Sequence, residues 1–191
     1  MSKQMDESQL LESARKGARD AFRRLVLANS RPMHQLAWRI MGDPDIAEDV
    51  VQEAMLKAHQ QLDKFDQRSK FSTWLYRITT NTAIDMKRKN KRFDEYDSMT
   101  DLESYSKPQR AERDMIDKQD ELKQATNDVM DQLTVQERTA FSLKHYDGLS
   151  IAEICDILAV SESAVKQAIF RAVKKLREQL TPLLNEPTAQ D

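Results

Sequence analysis

Two helix-start signals lie close together in the C-terminal third of the chain, and they constrain its fold more than any other feature. Thr134 is followed three residues later by Glu137, and Ser150 is followed three residues later by Glu153. This spacing is typical of helix N-termini, because the two side chains then satisfy free backbone N–H groups reciprocally. Residues 149–180 therefore predict a short helix, a tight corner and a long basic helix.

The apolar residues of this stretch recur at helical spacing, which gives both helices an inner and an outer face. The inner face is predicted to hold Ile151, Ile154 and Leu158, then Val165, Ile169, Ala172 and Leu176. The outer face of the long helix carries Ser163, Lys166, Gln167, Phe170, Arg171 and Lys174. A helix fits the major groove of DNA, where Lys and Arg read guanine, Gln reads adenine and an apolar group contacts the thymine methyl. The pattern favours DNA binding; the alternative is a solvated face, with Phe170 packed on a neighbouring domain.

The rest of the chain indicates an all-α protein of about nine helices. Only three of its 191 residues are glycine, five are proline, and 6% are aromatic. Glycine and proline break helices, and sheets favour aromatic and β-branched residues, so this composition suits helices. Asp43 and Pro44 predict one helix start. Pro32 is expected to separate a helix over residues 20–29 from one that begins at Pro32 and ends at Met41.

A change of composition divides the chain into two small helical domains. Residues 6–92 predict a first bundle, and residues 122–181 predict a second domain that ends in the helix-turn-helix, before a short tail over residues 182–191. Between them, residues 93–121 hold ten acidic residues against four basic ones, with few apolar positions. Such a segment buries little surface. We therefore expect a flexible, polar, acidic linker.

Several classes of protein are excluded by what the sequence lacks. The single cysteine, Cys155, rules out an internal disulfide and is interpreted as a small core residue, with a redox role as the alternative. No apolar run suggests a signal peptide or a membrane span, so a cytosolic protein is expected. The histidines lack partners at metal-ligand spacing, and no nucleophile–base set or glycine-rich phosphate loop is apparent. The sequence predicts no enzymatic activity, metal, cofactor or small-molecule substrate.

A second basic segment lies at the end of the first domain, over residues 85–92. It places five positive charges in eight residues: Lys87, Arg88, Lys89, Lys91 and Arg92. Runs of like charge are often only solvated, or favourable at a helix C-terminus. Two basic surfaces on separate domains, with an acidic spacer between them, instead suggest a protein that contacts DNA at two places.

These segments, in this order, resemble the extracytoplasmic-function sigma factors, the smallest class in the sigma-70 family of bacterial RNA polymerase initiation factors. The resemblance covers about residues 6 to 181. "DIAEDVVQEAMLKAH" is similar to the segment that grips the clamp helices of the polymerase β′ subunit. "FDQRSKFSTWLYRITTNTAID" is similar to the segment that melts and reads the minus-ten element, and residues 133–180 resemble the minus-thirty-five reader.

The resemblance implies roles for individual residues. The polymerase contact would comprise Asp49, Gln52 and Glu53, which the spacing places on one helix face. A pocket for a flipped-out base would comprise Phe65, Ser69 and Asn81, because single strands are held by stacking and amide hydrogen bonds. The basic residues of the segment 85–92 would contact phosphates, and the outer face of the long helix would read the minus-thirty-five duplex. Trp74 is expected in the core.

The implied partners are core RNA polymerase, through its β′ clamp helices and β flap, promoter DNA, and an anti-sigma factor that is often a membrane protein. Recognition helices of the family often read Gly-Thr-Val-Lys-Ser-Arg where this chain has Ser163–Ala168, so the minus-thirty-five sequence stays open. Two alternatives also stay open. A sigma mimic that titrates an anti-sigma factor would not need the basic outer face, and a dimeric helix-turn-helix repressor would leave the polymerase-like segment unexplained.

Overall fold

The computed structural model describes residues 6–97 and 118–184, and this part of the chain consists of helices without a strand. The elements in chain order are α1 (Glu7–Arg15), α2 (Arg19–Met41), α3 (Pro44–Gln60), a 3-10 turn (Leu62–Lys64), α4 (Phe71–Asp97), α5 (Lys118–Gln132), α6 (Val135–His145), α7 (Ile151–Leu158) and α8 (Glu162–Leu184). The all-α prediction is confirmed. None of the described helices is long and apolar enough to cross a membrane.

A single helix, α2, occupies the stretch in which two were expected, so the predicted break at Pro32 is wrong. A proline inside a helix removes one backbone hydrogen bond and costs roughly 3 kcal/mol. Packing outweighs that cost here, because apolar side chains on both sides of the proline are buried against the other helices. Leu25 precedes it, and Met33, Leu36 and Ile40 follow.

Helices α1 to α4 form the first bundle. The inner face of α3 is built from small and β-branched residues, which let it lie close to α2 and α4: Ala47, Val50, Val51, Ala54 and Ala58. From α4, Trp74 and Leu75 are 5% and 1% exposed, so the expectation that Trp74 belongs to the core is confirmed.

Helices α5 to α8 form the second half, in which α8 packs on α5, α6 and α7. Both predicted helix-start signals are present. The Thr134 hydroxyl accepts from the Glu137 N–H at 3.2 Å, and the Glu137 carboxylate accepts from the Thr134 N–H at 3.0 Å. Ser150 and Glu153 make the same pair of bonds at 3.2 and 2.9 Å. These caps fix where α6 and α7 begin.

The two halves lie against each other rather than apart. The apolar core of the first bundle continues into Leu143, Ile154 and Ile157 of the second half. Helix α4 contacts α7, and α2 contacts α6. The sequence indicated two domains and carried no sign of this contact.

Helix also extends into both ends of the predicted linker. Helix α4 runs to Asp97, beyond the expected boundary at residue 92, and α5 already begins at Lys118. Residues 98–117, the centre of the predicted linker, lie outside the described residues, as do residues 185–191 of the predicted tail. The two ends of the predicted linker are therefore helical, and the division into two domains with a linker between them stays a prediction.

Candidate polymerase and promoter interface

The outer face of α3 carries the three residues predicted to contact the polymerase. The Asp43 carboxylate caps the helix by accepting from two backbone N–H groups of the first turn, at 2.8 and 3.0 Å. Asp49 and Gln52 are exposed. Glu53 is half-buried and pairs with Lys57, with 2.8 Å between the Nζ and Oε1 atoms. The hydrogen bond from Lys57 lowers the pKa of Glu53, so this face stays polar and anionic.

Phe65 does not offer its ring to a DNA base, contrary to the prediction for the minus-ten pocket. Its side chain is only 3% exposed, and its ring centroid lies 5.5 Å from that of Phe71 and 5.2 Å from that of Trp74. The Arg15 guanidinium donates to the Phe65 backbone carbonyl. Burying a phenylalanine stabilises a fold by about 1.5–3 kcal/mol, which favours packing over display in a loop. Phe65 therefore anchors the base of the loop over residues 65–70.

The other two residues predicted for the pocket, Ser69 and Asn81, are exposed. Ser69 lies on the loop, where Gln67 adopts a left-handed φ of 60° and the Asp66 carboxylate accepts from the backbone N–H of Arg68 at 3.2 Å. Asn81 projects from the outer face of α4. The structure therefore keeps both polar side chains at the surface of the first bundle.

The basic segment of α4 divides into covered and exposed residues. Lys87 is half-buried, and its Nζ donates to the backbone carbonyl of Ile40 at 3.1 Å. Burial lowers the pKa of the Lys87 ammonium. Its predicted phosphate contact is therefore not available in this arrangement, whereas Arg88 and Lys89 are exposed. Two further basic residues of the segment have side chains outside the described residues: Lys91 and Arg92.

The corner between α7 and α8 forms without a glycine. Ala159 closes α7 in the left-handed conformation, with φ of 54° and ψ of 43°, and its N–H donates to the carbonyl of Cys155. The Ser161 hydroxyl accepts from the N–H of Ala164 at 3.3 Å, which places Ser161 at the start of α8. The predicted helix-turn-helix is present. Cys155 is half-buried and packs against the apolar core, as the interpretation of a small core residue requires.

The inner faces of the two helices are rotated slightly from the predicted ones. On α7, Ile154 and Ile157 are buried, whereas Leu158 and Ile151 are only half-buried. On α8 the buried residues are Val165, Ala168 and Ala172, and the half-buried ones include Ile169 and Leu176. The difference has a packing cause, because α8 contacts α5 and α6 as well as α7.

The side chains on the outer face of α8 are exposed to solvent. Phe170 is 68% exposed, so it does not pack on the first bundle. Lys166 pairs with Glu162 at 2.5 Å and Lys174 with Glu178 at 3.7 Å, both within the helix. Every residue predicted to contact the minus-thirty-five element is exposed: Ser163, Lys166, Gln167, Phe170, Arg171 and Lys174.

A groove of about 940 Å³ runs between the two halves. Lys87 and Arg88 line it from α4, and Gln167 and Arg171 line it from α8. Apolar side chains complete its walls, among them Met41, Ile46, Ile84, Leu158 and Val160. The structure thus brings parts of both predicted DNA-binding surfaces to one groove.

Polar residues that no sequence pattern indicated join the two halves. An Arg39 amino group (Nη2) donates to both carboxylate oxygens of Asp147, at 2.8 and 2.7 Å, and the Tyr76 hydroxyl lies 3.4 Å from the same carboxylate. Burial raises the pKa of Asp147, an effect that Arg39 opposes, and it also raises the pKa of Tyr76 to about 12. In the sequence, Asp147 was indistinguishable from a turn residue before Gly148.

Comparison with known proteins finds similarity along almost the whole chain. Sigma-70 region 2 matches residues 25–93, and Sigma-70 region 4 matches residues 123–176. Among solved structures, CnrH in complex with the cytosolic domain of CnrY is similar, with a TM-score of 0.65 and 25% identity over 91% of this chain and 96% of that one. The sigma factor RpoE in complex with the anti-sigma factor NepR, from Bartonella quintana, shares the fold, with a TM-score of 0.67 and 24% identity over 84% of this chain and 96% of that one.

Full-length relatives give the same result. The ECF RNA polymerase sigma factor SigW of Bacillus subtilis is 35% identical, over 91% of this chain and 96% of that protein. The RNA polymerase sigma-H factor of Pseudomonas aeruginosa is 34% identical, over 97% of this chain and 100% of that protein. The ECF RNA polymerase sigma-E factor of Escherichia coli K12 is 33% identical, over 96% and 99%. With both sigma regions in order and relatives matched along nearly their full length, the chain belongs to the extracytoplasmic-function sigma factors of the sigma-70 family.

Proposed function

We propose that this sigma factor divides its work between three exposed surfaces. The outer face of α3, with Asp49, Gln52 and Glu53, docks on the β′ clamp helices of core polymerase. Ser69 and Asn81 hold the melted minus-ten strand, while Arg88 and Lys89 neutralise its phosphates. The outer face of α8 reads the minus-thirty-five duplex.

The observation that carries this assignment is the outer face of α8. Phe170 is 68% exposed between basic residues, although burying such a ring would stabilise the protein by about 1.5–3 kcal/mol. An exposed aromatic among Lys166, Gln167 and Arg171 is explained if duplex DNA covers it, since the major groove presents apolar methyl groups beside hydrogen-bonding base edges. A sigma-mimic decoy would have no use for this combination.

Regulation by an anti-sigma factor is part of the same proposal. One of the similar solved structures holds the sigma factor RpoE with the anti-sigma factor NepR, and another holds CnrH with the cytosolic domain of CnrY. The family consists of transcription initiation factors, and among the described residues no group of His, Cys, Asp or Glu could hold a metal ion. We infer a cytoplasmic protein that initiates transcription and catalyses no reaction of its own.

The polymerase contact is tested by reversing its charges. The double variant Asp49→Lys, Glu53→Lys should weaken core binding at least tenfold in gel filtration and reduce run-off transcription, because two acidic groups of the contact become repulsive. The fold should persist, since Asp49 is an exposed helix position, where a substitution seldom costs more than ~0.5 kcal/mol. Glu53 loses only its pair with Lys57 within the same helix, and such a pair contributes about 0.3–0.5 kcal/mol.

The matched control is Glu178→Lys, a charge reversal on α8 that leaves the α3 face intact and should bind core normally. Unchanged core affinity in the folded double variant would refute the polymerase assignment. A wild-type protein that fails to bind core would point instead to a repressor, and one that binds core without supporting initiation would point to a decoy.

A further inference from the structure

The first helix, α1, is fixed to the first bundle at its start and along its inner face. The backbone N–H of Asp6 donates to the side-chain oxygen of Gln9 at 3.3 Å, and the Asp6 carboxylate caps the helix in turn. The inner face is buried in the core, where α1 packs on α2: Leu10, Leu11 and Ala14. The last turn, which carries Arg15, therefore has a defined position. Helix α1 precedes residues 25–93, the part of the chain that matches Sigma-70 region 2.

The side chain of Arg15 extends from α1 to the loop over residues 65–70. It is half-buried, and its Nη2 atom donates to the backbone carbonyl of Phe65, 50 residues further along the chain. The Nε atom of the same side chain is buried and has no hydrogen-bond partner among the described residues. A buried donor without a partner destabilises a fold. Stability alone therefore explains the placement of Arg15 poorly, which favours a role in holding the loop.

The loop has a defined internal shape. The Asp66 carboxylate accepts from the backbone N–H of Arg68 at 3.2 Å and also pairs with the Arg68 guanidinium. Gln67, between them, adopts a left-handed φ of 60°, which residues other than glycine seldom adopt. These contacts lie within the loop, so they fix its shape without fixing its orientation on the bundle.

Two other contacts orient the first residue of the loop. The Phe65 ring packs on Phe71 and Trp74, which fixes where the side chain lies. The bond from Arg15 fixes the direction of the Phe65 carbonyl, and with it the plane of the peptide group that leads into the loop. A rotation of this peptide group would displace the residues that follow it, up to the start of α4.

Base recognition depends on the orientation of this loop. Ser69 lies on the loop and Asn81 on α4, and both are exposed. Hydrogen bonds weaken steeply when a donor or acceptor is misdirected, and a binding site has to be held to within about 0.5 Å. We propose that Arg15 is a positioning residue for minus-ten recognition, which holds the loop so that Ser69 and Asn81 act on the same strand. This inference rests on the proposed function, and Arg15 acts in it through the Phe65 carbonyl without contacting DNA.

The test is the base selectivity of the holoenzyme. The full-length parent and its variants are combined with core polymerase, and each holoenzyme selects from single-stranded nontemplate oligonucleotides randomised over the minus-ten element. Arg15→Met keeps a long side chain with good helix propensity and removes every donor. Its preference at the position that the loop reads should fall roughly tenfold, the discrimination that one base contact supplies. Arg15→Lys keeps a donor and should retain most of the preference.

The matched control is Lys16→Met, which removes the neighbouring cation of α1. Lys16 is exposed and pairs with Glu12 at 2.6 Å, so this variant should keep the parent profile. An Arg15→Met holoenzyme with the parent profile overturns the proposal, whatever its melting temperature. A uniform weakening on all sequences, with a salt slope reduced by about one, also overturns it, because that result identifies a phosphate contact by Arg15.

A second measurement uses the free parent protein and does not depend on whether Arg15→Met folds. Nuclear magnetic resonance of the isotope-labelled chain reports the guanidinium N–H groups of Arg15, which are identified by their absence from the spectrum of Arg15→Lys. A bond from Nη2 to the Phe65 carbonyl restricts rotation of the guanidinium, so separate and slowly exchanging signals are expected. One averaged signal, as freely rotating arginines give, overturns the proposal.

The inference and the proposed function fail in different ways. If Ser69→Ala and Asn81→Ala both leave the selected sequences unaltered, the proposed minus-ten surface is wrong and the inference falls with it. If either of them alters the selected sequences while Arg15→Met does not, the proposed function stands and the positioning role of Arg15 alone is wrong.

Discussion

Two phenylalanines predicted to touch DNA have opposite environments. Phe65, in the loop before α4, is 3% exposed, whereas Phe170, on the outer face of α8, is 68% exposed. Both belong to segments that resemble DNA-contacting regions of one family. Phe65 packs beneath the proposed minus-ten surface of the first bundle, whereas Phe170 lies on the proposed minus-thirty-five surface of α8.

The difference follows from the neighbours that each ring can reach. Phe65 can pack with Phe71 and Trp74, which close one end of the first bundle. Phe170 lies between Lys166 and Lys174, which are four residues before and four residues after it on the same helix. The residues that α8 contributes to the core lie on its other face: Val165, Ala168 and Ala172. Resemblance assigns a segment to a function, whereas local packing decides which side chains of the segment carry it out.

The largest expected effect comes from Phe65→Ala. Removing a buried ring should destabilise the protein by about 3–5 kcal/mol. This corresponds to a fall in melting temperature of roughly 6–20 °C for a chain of this size. Thermal unfolding followed by circular dichroism measures it, with Phe170→Ala as the matched control. If Phe65→Ala melts at the same temperature as the parent, Phe65 does not stabilise the core, and its predicted contact with DNA stands again.

Phe170→Ala should weaken DNA binding and leave the stability of the protein almost unchanged, the opposite of Phe65→Ala. Its stability should change by less than ~0.5 kcal/mol because the ring is exposed. Its affinity for a minus-thirty-five duplex should fall by up to about 1.5–3 kcal/mol, the amount gained when such a ring is buried in a complex. Fluorescence anisotropy with a labelled duplex reports the affinity. Normal binding by this variant would place the DNA on another face of α8.

Gln167→Ala should alter which promoter is preferred. A lost base contact costs about 1–3 kcal/mol for the preferred base and less for the others. Selection from a library randomised at the minus-thirty-five element measures the profile. Gln179→Ala, on the same helix but paired with Gln132, is the control and should leave the profile unchanged. An unaltered promoter profile for Gln167→Ala would show that Gln167 does not read a base of the minus-thirty-five element.

The smallest expected effect is on the salt dependence of DNA binding, which should differ between variants of the adjacent Lys174 and Lys175. Lys174 is exposed, so Lys174→Gln should weaken binding to all promoters alike and reduce the salt slope by about one. Lys175 pairs with buried Glu137 at 2.8 Å, so Lys175→Gln should lower stability and leave the salt slope nearly unchanged. Binding isotherms at several salt concentrations distinguish the two. Equal salt slopes would show that Lys174 does not contact phosphate.

Local features of the fold were predictable from the sequence because their physics is local. Asp43, Thr134 and Ser150 cap helices as expected, since each acts within three or four residues. The break predicted at Pro32 was wrong because packing from distant helices overrides a local preference. The rotation of the inner face of α8 has the same origin. The exposed site residues follow the helical period, and Phe65 departs from prediction because loops have no period.

The contact between the two halves could not be predicted in this way. Arg39 and Asp147 lie 108 residues apart, and neither belongs to a motif. Arginine and aspartate are residue types that usually lie at the surface. These two are buried where the halves meet. Lys87 shows the same limit inside the first bundle, because its charge predicted a phosphate contact while its position on α4 provides a partner in the Ile40 carbonyl of α2.

The separation of Arg39 from Asp147 also sets an order of events on the ribosome. A ribosome adds about 5–20 residues per second, and N-terminal domains generally fold first. The 108 residues between the partners therefore take on the order of 5–20 s to synthesise. Helix α4 ends at Asp97, 50 residues before Asp147. For roughly the last 2.5–10 s of that interval, α1 to α4 have therefore been synthesised while the turn that carries Asp147 does not yet exist. Each newly made molecule thus passes through a period in which its polymerase-binding half is folded and unrestrained.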